Sequence, residues 1–510
     1  MKKPFNFFCT AAILLLSFAW ILPMGHVEKS QEVKADTAAA KEEAGLLIKI
    51  MFNRKAKIAR INKLTLSNQT ESLKKNMFGG IVGNVLEWYD FAVFGFLAPV
   101  IGEKFFPSND PLDSLLSAFS VFAAAYLIRP VGGIIFGYIG DQFGRQKALQ
   151  LSVMMMAVPT FLIGLLPTHA EIGSIAPVIL VLLRMAQGLS VGGELIGSIA
   201  FVAETAPVEQ RGYYSSWTFS SCYGGMMLGA LSAVGLNAVL GPQAMADWGW
   251  RLPFLSGIII GLAGIWMRNE LTETPIFKKM KRKGTIGGNP IVEAVRLVPE
   301  RIFQASILVV LVGGGFYLLF IWWPTLLSRF IHPHVPYAMA INTFSLIFLI
   351  ILIPITGRLS DRLGRKPLLV WSSAGMTLLS WPLFMLVAQG GFFPVLVAQI
   401  CFTVLMSIFL GPIPAALVDM FPPLVRYSAI GLAYNISLCV FGGTAPLVAT
   451  WLVKHYHTVS APAFYLTFLS AINLLAALSL PEKVRAGRMK RPPSIYDRVV
   501  FFEEDKKASL

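Results

Sequence analysis

Residues 137–145 read GYIGDQFGR, and residues 357–365 read GRLSDRLGR. The two stretches share Gly, Asp, Gly and Arg at the same spacing. The matching positions are Gly137, Asp141, Gly144 and Arg145 in the first copy, and Gly357, Asp361, Gly364 and Arg365 in the second. Each copy lies between long apolar stretches. A polar loop that returns at half-chain distance in a hydrophobic protein predicts two related helical bundles in one membrane.

The composition also favours a membrane protein. Of the 510 residues, 55% are apolar and only 14% are charged, which is far from an ordinary soluble domain. The four cysteines lie in apolar stretches without paired or metal-ligand spacing, so we interpret them as small buried side chains. We therefore predict no metal site and no cofactor.

A helix needs about 20 apolar residues to cross the hydrocarbon core. By that measure the sequence predicts an all-α membrane protein with twelve transmembrane helices in two pseudo-symmetric bundles of six. The predicted spans are 78–101, 113–139, 146–167, 174–203, 213–240, 250–267, 303–327, 337–357, 367–388, 392–418, 427–453 and 461–480. The predicted regions are an N-terminal extension (1–76), a first bundle (77–267), a cytoplasmic linker (268–302), a second bundle (303–480) and a basic cytoplasmic tail (481–510).

The basic residues predict the orientation of these spans, because short cytoplasmic loops collect Lys and Arg. The side that holds both repeated loops carries 31 Lys and Arg residues, whereas the other side carries only Lys104, Arg329 and Lys454. Both ends of the twelve-helix unit are therefore predicted to be cytoplasmic. The net charge of +15 then follows from topology, and we expect no nucleic-acid partner.

The first 50 residues fit this pattern less well. Lys2 and Lys3 precede an apolar run at 4–24 that resembles a signal peptide or an extra anchor helix. No small-x-small cleavage site follows the run. Two interpretations stay open, namely an irregular appendage and a translation start near Met51.

A second repeat supports the two-bundle prediction. The fourth span is followed by an acid, Glu204. A proline stands three residues after it (Pro207) and an arginine seven residues after it (Arg211). The same pattern follows the tenth span at Asp419, Pro422 and Arg426. Two matched motifs in corresponding loops indicate that the halves are related.

These residues resemble the major facilitator superfamily, whose signature loop lies between helices two and three and recurs between helices eight and nine. Other stretches resemble its metabolite:H+ symporter family, and within it the proline/betaine transporters. They are residues 83–91 (GNVLEWYDF), 129–133 (RPVGG), 184–194 (RMAQGLSVGGE), 250–254 (WRLPF) and 426–429 (RYSA), with Asn435, Ser437 and Pro446. The first loop departs from the family pattern at Gln142, where a basic residue is usual.

The resemblance implies a monomeric secondary transporter in a bacterial inner membrane, which takes up a small zwitterion or organic acid together with a proton. The alternative substrate is a dicarboxylate or tricarboxylate of the α-ketoglutarate or citrate type, and Na+ remains open as the coupling ion. An ATP-driven pump or membrane enzyme is disfavoured, because the chain has no phosphate-binding GxxxxGK[ST] motif.

Ionisable residues within the spans are candidates for coupling, because a charge in hydrocarbon is costly. They all lie in the first half, and we add the neighbouring amide of Asn84 to them. The candidates are Asn84, Glu87, Asp90, Arg129, Arg184 and Glu194. We hypothesise that Asp90 or Glu87 carries the proton with Arg129 as its counter-ion. Arg184 or Arg129 would meet a substrate carboxylate. The alternative is that these charges only hold the helices in register.

Two other groups have a functional and a structural interpretation. The loop residues Asp141, Arg145, Asp361 and Arg365, with Glu204, Arg211, Asp419 and Arg426, are predicted to latch one conformation. Positive-inside anchoring is the alternative. The aromatic residues Trp88, Tyr89, Trp217, Tyr223, Trp322 and Trp323 would form a cage for a quaternary ammonium, although the interpretation as core or membrane-interface residues is preferred. Glu194 stands among glycines that indicate a close-packing face.

Overall fold

The structure is a computed structural model of the chain, and it describes residues 77–109, 111–269, 273–283, 289–331 and 335–481. All of them belong to one compact unit that begins at Ser72. These residues are almost entirely helical and contain no strand. The predicted N-terminal extension (1–76) lies wholly outside the described residues, and the predicted tail lies outside them except for residue 481.

Within the described residues, twelve long helices follow one another along the chain, and three of them are divided into two segments. In the first half they are α1 (Met77–Phe105), α2 (Pro111–Leu127 and Arg129–Gln142), α3 (Arg145–Leu165), α4 (Ile175–Thr205), α5 (Arg211–Ala244) and α6 (Arg251–Asn269). In the second half they are α7 (Pro299–Thr325), α8 (Ala338–Leu363), α9 (Arg365–Ala388), α10 (Phe392–Leu410 and Ile413–Met420), α11 (Arg426–Ser437 and Ala445–Tyr456) and α12 (Pro462–Leu478).

Their lengths and composition suit a membrane. Within the described ranges, nine helices are long and apolar enough to cross it, and α6 and α12 contribute shorter apolar helices. The remaining helix, α2, is divided at Ile128, just before Pro130, which lacks the N–H that a continuous helix needs. The prediction of an all-α protein with twelve spans is confirmed.

Glycines let α4 pack directly on the backbone of α2. A Cβ on Gly192 would lie 2.3 Å from the carbonyl oxygen of Arg129, and one on Gly188 would lie 2.3 Å from that of Ala125. Such distances exclude any side chain, so the two helices approach at backbone distance. The close-packing face predicted around Glu194 is present in the structure.

The first half meets the second chiefly along two helix pairs. Helix α2 packs against α11, and α5 packs against α8. In each pair two glycines face each other: Gly133 with Gly431, and Gly212 with Gly357. These contacts place the loop end of α2 beside the start of α11, and the loop end of α8 beside the start of α5.

The linker contains local structure that the sequence analysis did not predict. Two short helices, Pro275–Arg282 and Pro290–Leu297, lie within it. The first begins at Thr274, whose side chain accepts a hydrogen bond from the Phe277 amide at 3.2 Å, a standard N-cap. Phe277 and Met280 are buried, while the basic residues of this helix are exposed.

Candidate functional site

Four of the predicted charged residues form two ion pairs inside the first half. Glu87 of α1 faces Arg129 of α2, with Oε1 and Nη2 3.3 Å apart. Asp90 of α1 contacts Arg184 of α4 through Oδ2 and Nη1. All four side chains are at most 1% exposed. The hypothesis that Arg129 is the counter-ion therefore applies to Glu87, and it is wrong for Asp90, because α4 and not α2 faces that residue.

Asp90 lies in a well-connected polar network. Gln187, one turn after Arg184, donates from Nε2 to Asp90 Oδ1 at 2.9 Å and lies 2.8 Å from the hydroxyl of Thr160 on α3. Its Oε1 accepts from Arg184 Nη1 at 2.6 Å. Sequence reasoning missed Gln187, although its position at i+3 from Arg184 places it on the same helix face.

The pair of Glu87 and Arg129 is less complete on the side of its acid, since both oxygens of Asp90 are bound, while Arg184 and Arg129 each have two nitrogens without a partner among the described residues. Within the described residues Glu87 Oε2 and the Nε and Nη1 atoms of Arg129 have no hydrogen-bond partner. The guanidinium instead lies over two rings, 4.7 Å from the centroid of Tyr126 and 5.6 Å from that of Phe91. Buried polar groups without partners are costly, so this pair has unused capacity for a ligand.

Asn84 and Glu194 lie in neighbouring polar contacts. Asn84 donates to the hydroxyl of Ser198 on α4 at 2.9 Å and to that of Ser221 on α5 at 3.2 Å, which ties three helices together. Glu194 accepts a hydrogen bond from the Ser152 hydroxyl on α3. Both residues are buried.

The six aromatic residues considered for a cage are dispersed. Tyr89 donates to the carbonyl of Pro253 at 3.0 Å, Trp217 packs near Tyr213, and Trp323 packs on Phe384 and Phe402 in the second half. Trp322 donates to Thr450 at 2.9 Å. Only Trp88 and Tyr223 face each other, with ring centroids 6.2 Å apart. The six residues therefore do not form one cage, and the preferred interpretation as core residues agrees with the burial of five of them, all but Trp217.

The two signature loops make matching contacts across the halves. Asp141 at the end of α2 accepts hydrogen bonds from the backbone amides of Tyr427 at 3.3 Å and Ser428 at 2.9 Å, in the first turn of α11. Asp361 at the end of α8 accepts from the amides of Gly212 and Tyr213, both at 2.8 Å, in the first turn of α5. Each carboxylate thus binds the positive N-terminus of a helix from the opposite half.

Each loop aspartate belongs to a cluster of four charged side chains. The first charge cluster is Asp141, Arg145, Glu204 and Arg426, with contacts of 3.0 Å (Arg145–Asp141), 3.4 Å (Arg145–Glu204) and 2.7 Å (Arg426–Glu204). The second charge cluster is Asp361, Arg365, Asp419 and Arg211, with contacts of 3.4 Å (Arg365–Asp361), 3.4 Å (Arg365–Asp419) and 2.8 Å (Arg211–Asp419). Each cluster therefore contains one Arg from the other half.

The two charge clusters differ in their exposure to solvent, because the described part of the linker packs on only the first of them. Thr274 of the linker donates to Glu204 at 2.8 Å, and the Phe277 ring lies 5.3 Å from the Arg145 guanidinium. The side chains of Arg145 and Glu204 are fully buried, whereas Asp419 is 29% exposed. The linker thus covers one cluster of a matched pair.

The repeated glycines have geometric reasons. Gly144 and Gly364 have φ angles of 116° and 100°, which residues with a side chain rarely adopt. A Cβ on Gly137 would lie 2.8 Å from the Cα of Ser428, and one on Gly357 would lie 2.7 Å from the carbonyl oxygen of Gly212. The motif thus requires glycine for a sharp turn and for close approach between halves.

Comparisons with known proteins agree with this architecture. Residues 77–293 match the family described as Sugar (and other) transporter, and residues 305–495 match the Major Facilitator Superfamily. A glycine betaine/proline/ectoine/pipecolic acid transporter from Dickeya dadantii is 36% identical over 458 residues, covering 87% of this chain and 91% of the relative. The chain belongs to the major facilitator superfamily.

Further relatives of this superfamily member are named proline/betaine transporters. A proline/betaine transporter from Salmonella typhimurium is 34% identical and covers 86% of this chain and 90% of its own length. A solved structure of the proton:xylose symporter XylE shares the fold, with a TM-score of 0.65 at 18% identity over 80% of this chain and 95% of that chain. The family resemblance is confirmed, and the chain is a multi-pass membrane transporter, not an enzyme.

Proposed function

We propose that this transporter is a symporter, which carries a small zwitterion of the proline or glycine betaine type into a bacterial cell together with a proton. The observation that carries the proposal is the buried ion pair of Asp90 and Arg184 between two membrane-length helices. Ionisable residues inside a membrane are usually functional. The names of the relatives supply the substrate class.

Asp90 is the residue that we assign to the coupled proton. Its negative charge holds Arg184 and, through Gln187, α3. A proton on Asp90 would remove that charge and break the ion pair, so Arg184 could pair with another acceptor. Since protonation of a buried carboxyl depends on the cations beside it, movement of α1 against α4 would bind or release the proton.

Alternating access is assigned to the two charge clusters. Together they tie the halves on the side of the signature loops, which we place in the cytoplasm with both ends of the twelve-helix unit. Opening that side requires both the Glu204–Arg426 and Asp419–Arg211 pairs to separate. In the inner membrane this conformer would thus be closed toward the cytoplasm.

The arrangement of the arginines favours a zwitterion over a dicarboxylate or tricarboxylate. Arg129 and Arg184 each pair with a buried carboxylate, Glu87 and Asp90, and each has two nitrogens without a hydrogen-bond partner among the described residues. The two acids differ, because Glu87 Oε2 also has no partner there, whereas both oxygens of Asp90 are bound. A cation beside an anion with an available oxygen suits a substrate that carries both charges.

Uptake by proteoliposomes tests this proposal. An acidic exterior in sodium-free buffer is expected to drive accumulation of labelled glycine betaine and proline above the external concentration, and a protonophore is expected to collapse it. Accumulation that requires a sodium gradient would contradict proton coupling. Accumulation of α-ketoglutarate without either zwitterion would contradict the substrate class.

A further inference from the structure

Six aromatic rings form a closed circuit in the centre of the molecule. Each ring contacts the next, and the last contacts the first. The centroid distances are 6.4 Å (Trp88–Phe91), 5.4 Å (Phe91–Tyr126), 5.9 Å (Tyr126–Tyr317), 5.9 Å (Tyr317–Phe316), 4.5 Å (Phe316–Tyr223) and 6.2 Å (Tyr223–Trp88). We call these six residues the aromatic circuit.

The aromatic circuit joins the two halves. Four of its rings come from α1, α2 and α5, and the other two, Phe316 and Tyr317, come from α7. It crosses between the halves at two places only, the Tyr223–Phe316 ring contact and the hydroxyl contact between Tyr126 and Tyr317. All six side chains are buried. A molecule that contacts these rings must therefore displace some of their present neighbours.

Two opposite charges lie at the edge of the aromatic circuit. Arg129 lies over the Phe91 and Tyr126 rings, and Glu87 is its ion-pair partner. Both groups have hydrogen-bonding capacity left, since Glu87 Oε2 and Arg129 Nη1 have no hydrogen-bond partner among the described residues. The Trp88 indole N–H is also buried without one. The circuit thus combines π-faces, an available cation and an available anion.

We propose that the aromatic circuit, Glu87 and Arg129 together bind the zwitterion. This inference rests on the proposed function and specifies the site and its ligand. The ammonium of the substrate occupies the faces of the rings, where cation–π attraction is strong because water is excluded. Its carboxylate accepts a hydrogen bond from Arg129 Nη1. The ligand replaces the cross-half ring contacts and so holds the halves together while the site is closed.

Glu87 makes the affinity of the site depend on how many hydrogen atoms the ammonium nitrogen of the substrate carries. A secondary ammonium, as in proline, donates hydrogen bonds that Glu87 Oε2 is able to accept. A quaternary ammonium, as in glycine betaine, has no donor and depends more on the rings. The two substrates are therefore expected to respond differently when the rings or Glu87 are changed.

The test uses the full-length protein in proteoliposomes, with KM and kcat measured for labelled glycine betaine and proline. Phe316→Leu removes one ring, and its KM for glycine betaine is expected to rise about ten-fold, as loss of a desolvated cation–π contact implies. Phe316→Tyr keeps the ring and is expected to restore a nearly normal KM. Tyr223→Leu, from the other half, is expected to behave as Phe316→Leu does.

Phe320 offers a matched control. It lies on the same helix, is equally buried and stacks on Phe316 at 5.1 Å, but it is outside the aromatic circuit. Phe320→Leu is expected to leave the KM for glycine betaine within about two-fold of wild type, because a change of packing alone does not select for a cation. An equal rise in KM for Phe320→Leu and Phe316→Leu would overturn the assignment of the circuit.

Substrate preference provides the second measurement. Glu87→Gln is expected to raise the KM for proline more than that for glycine betaine, whereas Phe316→Leu is expected to do the reverse. Parallel changes for both substrates would overturn the assignment of the ammonium to these groups. If the wild-type protein accumulates neither zwitterion, the proposed function itself fails. If it accumulates both and Phe316→Leu leaves both KM values unchanged, only the site assignment fails.

Discussion

Glu204 and Arg426 join the two halves of the chain through a buried ion pair, with Oε1 and Nη1 2.7 Å apart. Asp419 and Arg211 form the corresponding pair at 2.8 Å, with the acid and the base exchanged between halves. The pairs are alike in geometry, but the linker covers only the first. Related sequences in the two halves therefore give clusters that differ in how much water reaches them.

That difference in exposure predicts unequal effects of neutralising the two acids. Glu204→Gln leaves Arg145 and Arg426 buried beside an uncharged amide, and breaking a buried pair typically costs about 3–5 kcal/mol. Asp419→Asn breaks a partly exposed pair, for which about 1 kcal/mol or less is expected. Thermal unfolding of the purified variants measures both effects, and a larger loss of stability for Asp419→Asn would contradict the role given to burial.

Asp141→Asn is expected to slow turnover while leaving KM nearly unchanged. Asparagine has one acceptor oxygen where Asp141 uses two, so one of the Tyr427 and Ser428 backbone amides loses its acceptor. The variant also breaks the buried pair with Arg145, and no charge meets the N-terminus of α11, an interaction that alone is worth about 1 kcal/mol. The conformer closed at the signature loops is then less populated, and kcat is expected to fall by at least about five-fold. Steady-state uptake separates the two constants.

Asp361→Asn is the matched variant, because it acts in the same way on the N-terminus of α5. A similar loss of kcat is expected. If either variant instead loses affinity and keeps normal turnover, the loop aspartates do not control the conformational equilibrium.

Asp90→Asn is expected to abolish concentrative uptake. Asparagine has a similar shape but only one acceptor oxygen, so it keeps one of the two hydrogen bonds that Asp90 accepts from Gln187 and Arg184. It binds no proton, so the proton gradient no longer drives the cycle. Counterflow, which requires substrate exchange only, is expected to persist and to lose its dependence on pH. Accumulation of substrate at the wild-type level would refute the assignment of the proton to Asp90.

The fold was predictable because its determinants are local in the sequence. The third span, predicted at 146–167, is found at Arg145–Leu165, and the fourth, predicted at 174–203, is found at Ile175–Thr205. Apolar length alone defines such helices. The division of α2 at Ile128 and the linker helices depend on proline and capping residues, which span counting ignores.

The site was predictable only in part. The sequence identified Glu87, Asp90, Arg129 and Arg184, but spacing along one helix does not tell which neighbouring helix a side chain faces. Glu87 and Asp90 are one turn apart and still pair with different helices. The aromatic circuit was missed because Phe316 and Tyr317 come from the second half, and the sequence gives no register between halves.

Gly192→Ala is expected to destabilise the protein, because the new methyl group would lie 2.3 Å from the Arg129 carbonyl oxygen and 2.6 Å from the Gly133 amide nitrogen. These are backbone atoms that no rotamer change relieves, and overpacking of this kind costs about 1–3 kcal/mol. Gly95→Ala is the matched control, since a Cβ there meets no atom within 4 Å. Alanine favours the helix by about 1 kcal/mol relative to glycine, so the control is expected to keep or raise the melting temperature. If both variants melt like wild type, α2 and α4 are able to separate without loss, and the backbone contact between them does not hold Arg129 in place.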